Sequence, residues 1–113
     1  MGAALMFRRS LVDEIGFFDE AFPIFFNDVD FCRRVREKGK VNLYYPRAVI
    51  EHFVGGSTSI KRRAMIFESH RSMYRYFQKY SRGWGGEILA DIWGIILLIA
   101  AIVRAAGSFI FRK

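Results

Sequence analysis

The last quarter of the chain is so apolar that it restricts what the whole chain can become. Residues 92–103 contain no charged side chain, and residues 88–111 contain two, Asp91 and Arg104. A spanning helix needs about 20 apolar residues, whereas a stretch of about 10 to 14 more often lies in a core or at an interface. A helix apolar on nearly every face has no solvated side, and a small domain offers little surface to cover it. We therefore expect membrane contact, either spanning or lying flat, in preference to packing on a soluble body.

The positive charge is concentrated just before this apolar segment. Residues 60–84 hold seven Lys or Arg against one Glu, which accounts for most of the net charge of +7. A basic stretch beside an apolar one indicates anionic lipid headgroups or a phosphate-bearing substrate before it indicates nucleic acid. The single cysteine, Cys32, has no second thiol to pair with, which favours a reducing compartment.

Hydrophobic periodicity and end signals divide the 113 residues into short elements. Ser10 is expected to cap the first helix and Gly16 to end it, Gly39 to end the second, and Gly83, Gly85 and Gly86 to form a hinge before the last. The pattern predicts helices at residues 10–15, 28–38, 59–80 and 88–111, and extended segments at residues 3–7, 41–45 and 48–53. We expect two units, residues 1–82 and the apolar helix of residues 83–113.

Residues 25–34 set two carboxylates and two arginines against aromatic side chains. A carboxylate beside buried aromatics is poorly hydrated, which favours its taking a proton from a substrate, so Asp28 is the candidate base. On a helix starting near it, Asp28 shares the apolar face with Cys32, whereas Asp30 points elsewhere and meets Arg34 at i to i+4 spacing. The alternative is that Asp28 only favours the helix dipole from the first turn.

A second candidate site follows the extended segments. His52 precedes Gly55 and Gly56, where an imidazole can reach a metal or a diphosphate, although a lone histidine is more often a satisfied structural one. The glycines allow close backbone approach to a phosphate, and Ser57 and the basic residues 61–63 follow at a helix N-terminus. The loop matches no Walker or Rossmann pattern.

Taken in order along residues 2–60, these features resemble the C-terminal half of bacterial inverting glycosyltransferases of family 2, with rhamnosyltransferase-like members nearest. The residues that carry the resemblance are Gly2, Ala3, Ile15, Gly16, Phe18, Asp19, Glu20, Asn27, Asp28, Val29, Asp30, Cys32, Arg34, Gly39, Tyr45, Pro46, His52, Gly56 and Ser57. The resemblance implies an α/β fold, the C-terminal portion of a doubly wound, Rossmann-like GT-A domain, followed by a long amphipathic helix and a hydrophobic C-terminal helix.

The resemblance also implies roles for particular residues. Asp28 would be the general base that deprotonates an acceptor hydroxyl for attack on a nucleotide-sugar with inversion, and Asp30 and Arg34 would shape the acceptor side. Gly2, Ser57, Arg62 and Arg63 would contact substrate, the two arginines offsetting the charge of the leaving diphosphate. His52 would complete a Mg²⁺ or Mn²⁺ shell whose other ligands come from a separate Asp-x-Asp motif, and this chain has no Asp-x-Asp outside Asp28 to Asp30.

In that family the nucleotide-binding half precedes the segment that begins at Gly2. We therefore expect this chain to be a C-terminal piece, inactive alone and completed by an N-terminal half. The complete enzyme would transfer a sugar to a glycan or lipid-linked acceptor at the cytoplasmic face of the cell membrane, in polysaccharide or glycolipid synthesis. The rival is a non-catalytic membrane-surface binding protein that uses the basic helix and the apolar tail. Nucleic-acid binding by Arg71, Arg75 and Lys79 ranks last, because such a stripe is usually a solvated helix face.

Overall fold

The computed structural model describes residues 4–52, 62–81 and 83–110, which form four helices. In chain order these are α1 (Arg9–Ile15), α2 (Asn27–Glu37), α3 (Arg62–Tyr80) and α4 (Gly83–Ile110). The predicted division into two units at residue 83 stays a prediction.

The expected α/β architecture is wrong for the described residues, which contain helices and no β-strand. Residues 4–8, 41–45 and 48–52 belong to no helix and no sheet, and residues 41–52 are all exposed. A strand is stable when a neighbouring strand pairs with its N–H and C=O groups and another layer covers its apolar face. Neither partner exists within the described residues. The part of the chain that the structure describes therefore contains helices and not the portion of a doubly wound GT-A sheet that the resemblance implies.

The helix ends follow some of the sequence signals and not others. Gly16 ends α1 with a φ of 75°, and Gly39 follows α2 with a φ of 71°, both in the left-handed region that glycine tolerates. Ser10 is not the N-cap that the sequence predicts, since α1 begins one residue earlier, after Arg8, with no side-chain cap. The glycine hinge is also wrong in part, because Gly85 and Gly86 lie in the first turn of α4. Ser59, which the sequence predicts as the cap of the third helix, lies outside the described residues.

Aromatic side chains form a small core around α2. Phe22, Phe31 and Val35 are buried. The ring of Phe31 lies 4.8 Å from that of Phe7, which precedes α1, and 5.3 Å from that of Phe18, which follows it. These contacts bury apolar area from three chain segments at once, so the packing of α2 fixes the position of α1 and its flanking loops.

Helices α3 and α4 form an antiparallel hairpin. Tyr74 lies against Gly94, and Ser81 lies against Gly86. The buried residues of α4 are mostly small and follow one stripe, namely Ala90, Leu97, Ala101 and Ala105. A β-carbon added at Gly94 would lie 2.6 Å from Cε2 of Tyr74. Small residues at this stripe thus let the two helices approach closely.

Most of the surface of α4 is exposed and apolar. Residues Gly83–Gly107 are long and apolar enough to cross a membrane by length and composition, and only 22% of an apolar run of 18 residues within them is buried. A helix of this kind with so little cover needs another apolar phase on its free side.

Candidate functional site

The side chain of Asp30 is the most enclosed charged group in the described part of the chain. It has no solvent exposure. Its Oδ2 accepts a hydrogen bond from Arg34 Nε at 2.8 Å, and its Oδ1 accepts from Lys79 Nζ at 2.6 Å and from the Tyr80 hydroxyl at 2.7 Å. All three donors are directed at one carboxylate, so Asp30 is satisfied entirely by protein groups.

These contacts determine which groups are charged. Burial works against ionisation of Asp30, but the hydrogen bonds from Lys79, Tyr80 and Arg34 together hold its pKa below the usual value. Burial and the hydrogen bond to Asp30 raise the pKa of Tyr80. Burial opposes the charge of Lys79, but its bonds to Asp19 and Asp30 leave its pKa raised. The cluster is therefore ionic at neutral pH, with a neutral tyrosine hydroxyl.

The same cluster ties together three parts of the chain. Lys79 Nζ on α3 also donates to Asp19 Oδ2 at 2.7 Å, in the loop between α1 and α2. Arg34 donates to the backbone carbonyls of Ile15 and Phe17, at the end of α1. The predicted i to i+4 pair between Asp30 and Arg34 is confirmed, but both side chains are engaged inside the protein.

Asp28 lies in the first turn of α2 and is half-buried. Its Oδ1 accepts a hydrogen bond from the Val29 N–H at 3.0 Å, and no described residue donates a hydrogen bond to its Oδ2. The expectation that Asp28 faces inward while Asp30 does not is wrong, because the long-range donors on α3 draw Asp30 into the interior. Burial, and then the negative charge of Asp28, raise the pKa of the Cys32 thiol one turn along the helix.

The residue before α2 has an unusual backbone conformation. Phe26 has a φ of 67°, in the left-handed region, and is the one described non-glycine residue with a positive φ. For a bulky side chain this conformation costs about 1 to 3 kcal/mol and persists only where its surroundings enforce it. The ring of Phe26 packs 5.4 Å from that of Tyr76 on α3. This contact anchors the turn that presents Asn27 and Asp28.

The structure brings together few of the other predicted site residues. His52 is exposed and belongs to no helix, and the described residues contain no group of three His, Cys, Asp or Glu side chains that could hold a metal ion. Gly2 and Ser57 lie outside the described residues. Arg62 and Arg63 are the first two residues of α3.

Sequence reasoning missed the contacts between α2 and α3. The guanidinium of Arg33 lies 3.7 Å from the centre of the Tyr80 ring and donates to the Tyr76 hydroxyl at 3.3 Å. The sequence pattern predicts a solvated face for Lys79, yet its ammonium group donates to the carboxylates of both Asp19 and Asp30. One sequence pattern could have indicated these contacts, namely Tyr76, Lys79 and Tyr80 at helical spacing. The pattern does not identify α2 as the helix that they contact.

A separate cavity of about 520 Å³ lies between α3 and α4. Its lining is mostly apolar, with a few polar groups, and consists of Phe67, His70, Arg71, Tyr74, Asp91, Gly94, Ile95, Leu97, Leu98 and Ala101. The hydroxyl of Tyr74 donates to Asp91 Oδ1 at 2.9 Å and marks the polar end of the cavity. Neither Asp28 nor His52 lines it.

Comparison with known proteins identifies a relative for most of the chain. The N-acetylglucosaminyl-diphospho-decaprenol L-rhamnosyltransferases of two Mycobacterium tuberculosis strains, CDC 1551 / Oshkosh and ATCC 25618 / H37Rv, are each 30% identical to this chain over 83 residues. The aligned part is 74% of this chain and 27% of each relative, so the chain spans about a quarter of their length. No protein-family model and no solved structure matches. The chain is therefore similar in sequence to part of a glycosyltransferase.

Proposed function

We propose that this chain supplies the acceptor-side part of a sugar transferase in which Asp28 is the general base. The observation that carries the proposal is the 30% identity over 83 residues to a rhamnosyltransferase. Because the chain spans 27% of that relative, the activity of the complete protein is itself part of the proposal, and so is the contribution of an N-terminal half that binds the nucleotide-sugar.

The proposed reaction is a single displacement. Asp28 takes the proton of an acceptor hydroxyl, and the hydroxyl oxygen attacks the anomeric carbon of the donor. The bond to the leaving nucleoside diphosphate breaks and its electron pair stays with the phosphate oxygen, so the configuration inverts. A base needs a free lone pair, and Oδ2 of Asp28 is free of partners in the described part of the chain, unlike either oxygen of Asp30. This difference favours Asp28 over Asp30 as the base.

Asp30 and Arg34 then act as positioning residues. Both side chains are used to hold α2 against α3 and against the end of α1. A rigid α2 keeps the carboxylate of Asp28 at a fixed place, and a base must lie within hydrogen-bond reach of the proton that it removes. We therefore replace the expected acceptor contacts of Asp30 and Arg34 with this indirect role.

Gly2, Ser57, Arg62 and Arg63 remain proposed substrate contacts. The two arginines open α3, and the N-terminus of a helix attracts phosphate through its free N–H groups. The divalent ion that the resemblance implies is a different case, because the described residues contain no group of three His, Cys, Asp or Glu side chains that could hold a metal ion. These residues do not fit a Mg²⁺ or Mn²⁺ centre, and no step of the proposal goes through one.

The acceptor and the location follow from the relative and from α4. The name of the mycobacterial protein describes transfer of L-rhamnose to a sugar on a decaprenol diphosphate. By analogy we propose a lipid-linked acceptor, a nucleotide-sugar donor and a place at the cytoplasmic face of the membrane, without nucleic acid as a partner. The exposed apolar surface of α4 supports this placement.

The test is an assay of the complete protein in membranes with a labelled L-rhamnose nucleotide-sugar and N-acetylglucosaminyl-diphospho-decaprenol. Asp28→Asn should lower the rate of transfer by at least about 100-fold while donor binding is kept, because general base catalysis typically contributes about 10² to 10⁴. Asp13→Asn, which changes an exposed carboxylate on α1, should transfer at the rate of the unmodified protein.

Transfer by Asp28→Asn within about threefold of the unmodified protein would exclude Asp28 as the base. Absence of transfer by the unmodified protein, with membrane binding retained, would instead favour the rival, a non-catalytic membrane-surface binding protein.

A further inference from the structure

The charges on α4 all lie on one side of the helix. At about 100° per residue, Glu87, Asp91 and Arg104 fall within an arc of about 140°. The buried residues Ala90, Leu97, Ala101 and Ala105 lie in the same arc, which faces α3. The other side is apolar throughout, with side chains 46–63% exposed, at Ile88, Leu89, Ile92, Ile95, Ile96, Ile99 and Val103. So α4 is amphipathic in the folded protein, with α3 on its polar side.

α3 places a cation beside the middle of α4. Tyr74 is level with Gly94, and Phe67 shares the cavity with Ala101, so Arg71, between Phe67 and Tyr74, is level with the residues near 97. Arg71 is exposed, and no carboxylate among the described residues pairs with it. If α4 crossed a bilayer, the guanidinium of Arg71 would lie near the bilayer centre, where an unpaired charge is costly.

The length of the uncharged part of α4 agrees with this argument. Residues 92–103 lie between Asp91 and Arg104 and cover about 18 Å at about 1.5 Å per residue. The hydrocarbon core of a bilayer is about 30 Å thick. A spanning α4 would therefore draw Asp91 or Arg104 into the hydrocarbon together with Arg71.

We propose that α4 lies in the plane of the membrane surface, with its apolar side sunk into the boundary between headgroups and acyl chains of an anionic bilayer. Helices of this type are buried about 5 to 10 Å below the surface. α3 then lies above α4, and Arg71 and Arg104 reach the lipid phosphates, in keeping with the net charge of +7. The inference rests on the membrane contact of the proposed function and is independent of the transfer reaction.

The first test maps which side of the membrane each end of the chain occupies. In the full chain with Cys32→Ala, one variant carries Ser10→Cys on α1, where the side chain is exposed, and another carries a cysteine added after Lys113. In sealed inside-out vesicles from expressing cells, a membrane-impermeant maleimide should label both cysteines without detergent. Labelling of the added cysteine only after detergent would mean that α4 spans, and would overturn the proposal.

The same vesicles separate this inference from the proposed location. If both cysteines are labelled in right-side-out vesicles and neither is labelled in inside-out vesicles, α4 still lies in the membrane plane. That result would contradict only the proposed location at the cytoplasmic face.

The second test measures depth, with the two tryptophans of the chain, Trp84 and Trp93, both on α4. In Trp84→Phe, bound to vesicles of phosphatidylglycerol and phosphatidylcholine, lipids brominated near the headgroup should quench Trp93 more than lipids brominated near the chain ends. The opposite order would overturn the proposal. Trp93 lies about 15 Å along α4 from Gly83, at about 1.5 Å per residue, and a spanning helix that enters the membrane at Gly83 would carry Trp93 to about that depth.

The third test identifies what covers the apolar side. Ile99→Lys on that side should reduce the fraction that floats with these vesicles at least tenfold, whereas Gln78→Lys, an exposed position on α3, should float as the unmodified chain does. Helical content by circular dichroism checks that both variants are folded. If the unmodified chain forms a dimer that does not float with the vesicles, a second copy covers α4 and the proposal is overturned.

Discussion

The ammonium group of Lys79 lies 2.6 Å from the buried carboxylate of Asp30, across 49 residues of chain. This contact joins α3 to α2, and the bond from Lys79 to Asp19 extends it to the loop after α1. The cluster thus fixes the helix that carries Asp28.

Asp30→Asn should destabilise the fold strongly. The substitution removes the negative charge that pairs with Lys79 and Arg34, and loss of one partner from a buried ion pair costs about 3 kcal/mol or more. Urea unfolding followed by circular dichroism in mild detergent measures the change in the free energy of unfolding. Glu37→Gln is the control, because it removes an ion pair with Arg33 whose side chains are 39% and 44% exposed, worth about 0.5 kcal/mol. If the two variants lose the same free energy of unfolding, the buried ion pairs of Asp30 do not stabilise the fold more than an exposed pair does.

Stability should fall in acid because of the same cluster. The pKa values of Asp30 and Asp19 lie below the ordinary 3.8 in the folded protein. The hydrogen bonds that lower them stabilise the fold fully above that pH, and this contribution is lost as the pH falls through 3.8 towards the lower native values. The melting temperature measured from about pH 6 down to about pH 2 should therefore drop, and less steeply for Asp30→Asn. If the melting temperatures of the unmodified protein and of Asp30→Asn fall equally steeply with pH, this account is contradicted.

Stability should also fall at alkaline pH, through Tyr80. Burial and the bond to Asp30 raise its pKa above the ordinary 10.0. Because the folded state holds this proton more tightly, the contribution is complete below pH 10.0 and is lost as the pH rises towards the higher native value. Tyr80→Phe should lose less stability than the unmodified protein between about pH 9 and about pH 11. Tyr44→Phe, at a 90% exposed position, should lose as much as the unmodified protein. A steeper loss for Tyr80→Phe would exclude this role.

Gly94→Ala should loosen the hairpin of α3 and α4. The new β-carbon would lie 2.6 Å from Cε2 of Tyr74, so the ring must move and its 2.9 Å hydrogen bond to Asp91 would break. Overpacking of this kind costs about 1 to 3 kcal/mol. Gly85→Ala is a matched control in the same helix, since nothing lies within 4 Å of the added carbon, and it should stabilise by up to about 1 kcal/mol. Thermal unfolding of both variants measures the difference, and equal melting temperatures would rule out a tight contact at Gly94.

Part of the candidate site was readable from local sequence. The pairing of Asp30 with Arg34 follows from helical spacing, and α2 lies within one residue of its predicted ends. Which aspartate is buried was not readable, because that depends on Lys79 and Tyr80, which lie 49 and 50 residues away. The left-handed conformation of Phe26 also had no sequence signal, since it is enforced by packing against Tyr76 on another helix.

The sequence by itself determined the elements whose cause is local, namely helices with apolar periodicity, glycines at two helix ends and a highly apolar last helix. Tertiary structure decided everything that needs a distant partner. The extended segments at residues 41–45 and 48–52 form no sheet within the described chain, because a strand depends on a neighbour that local sequence does not specify. In the same way, α3 decided which side of α4 is covered and which aspartate is buried, because the covering surface and the donors come from residues far along the chain.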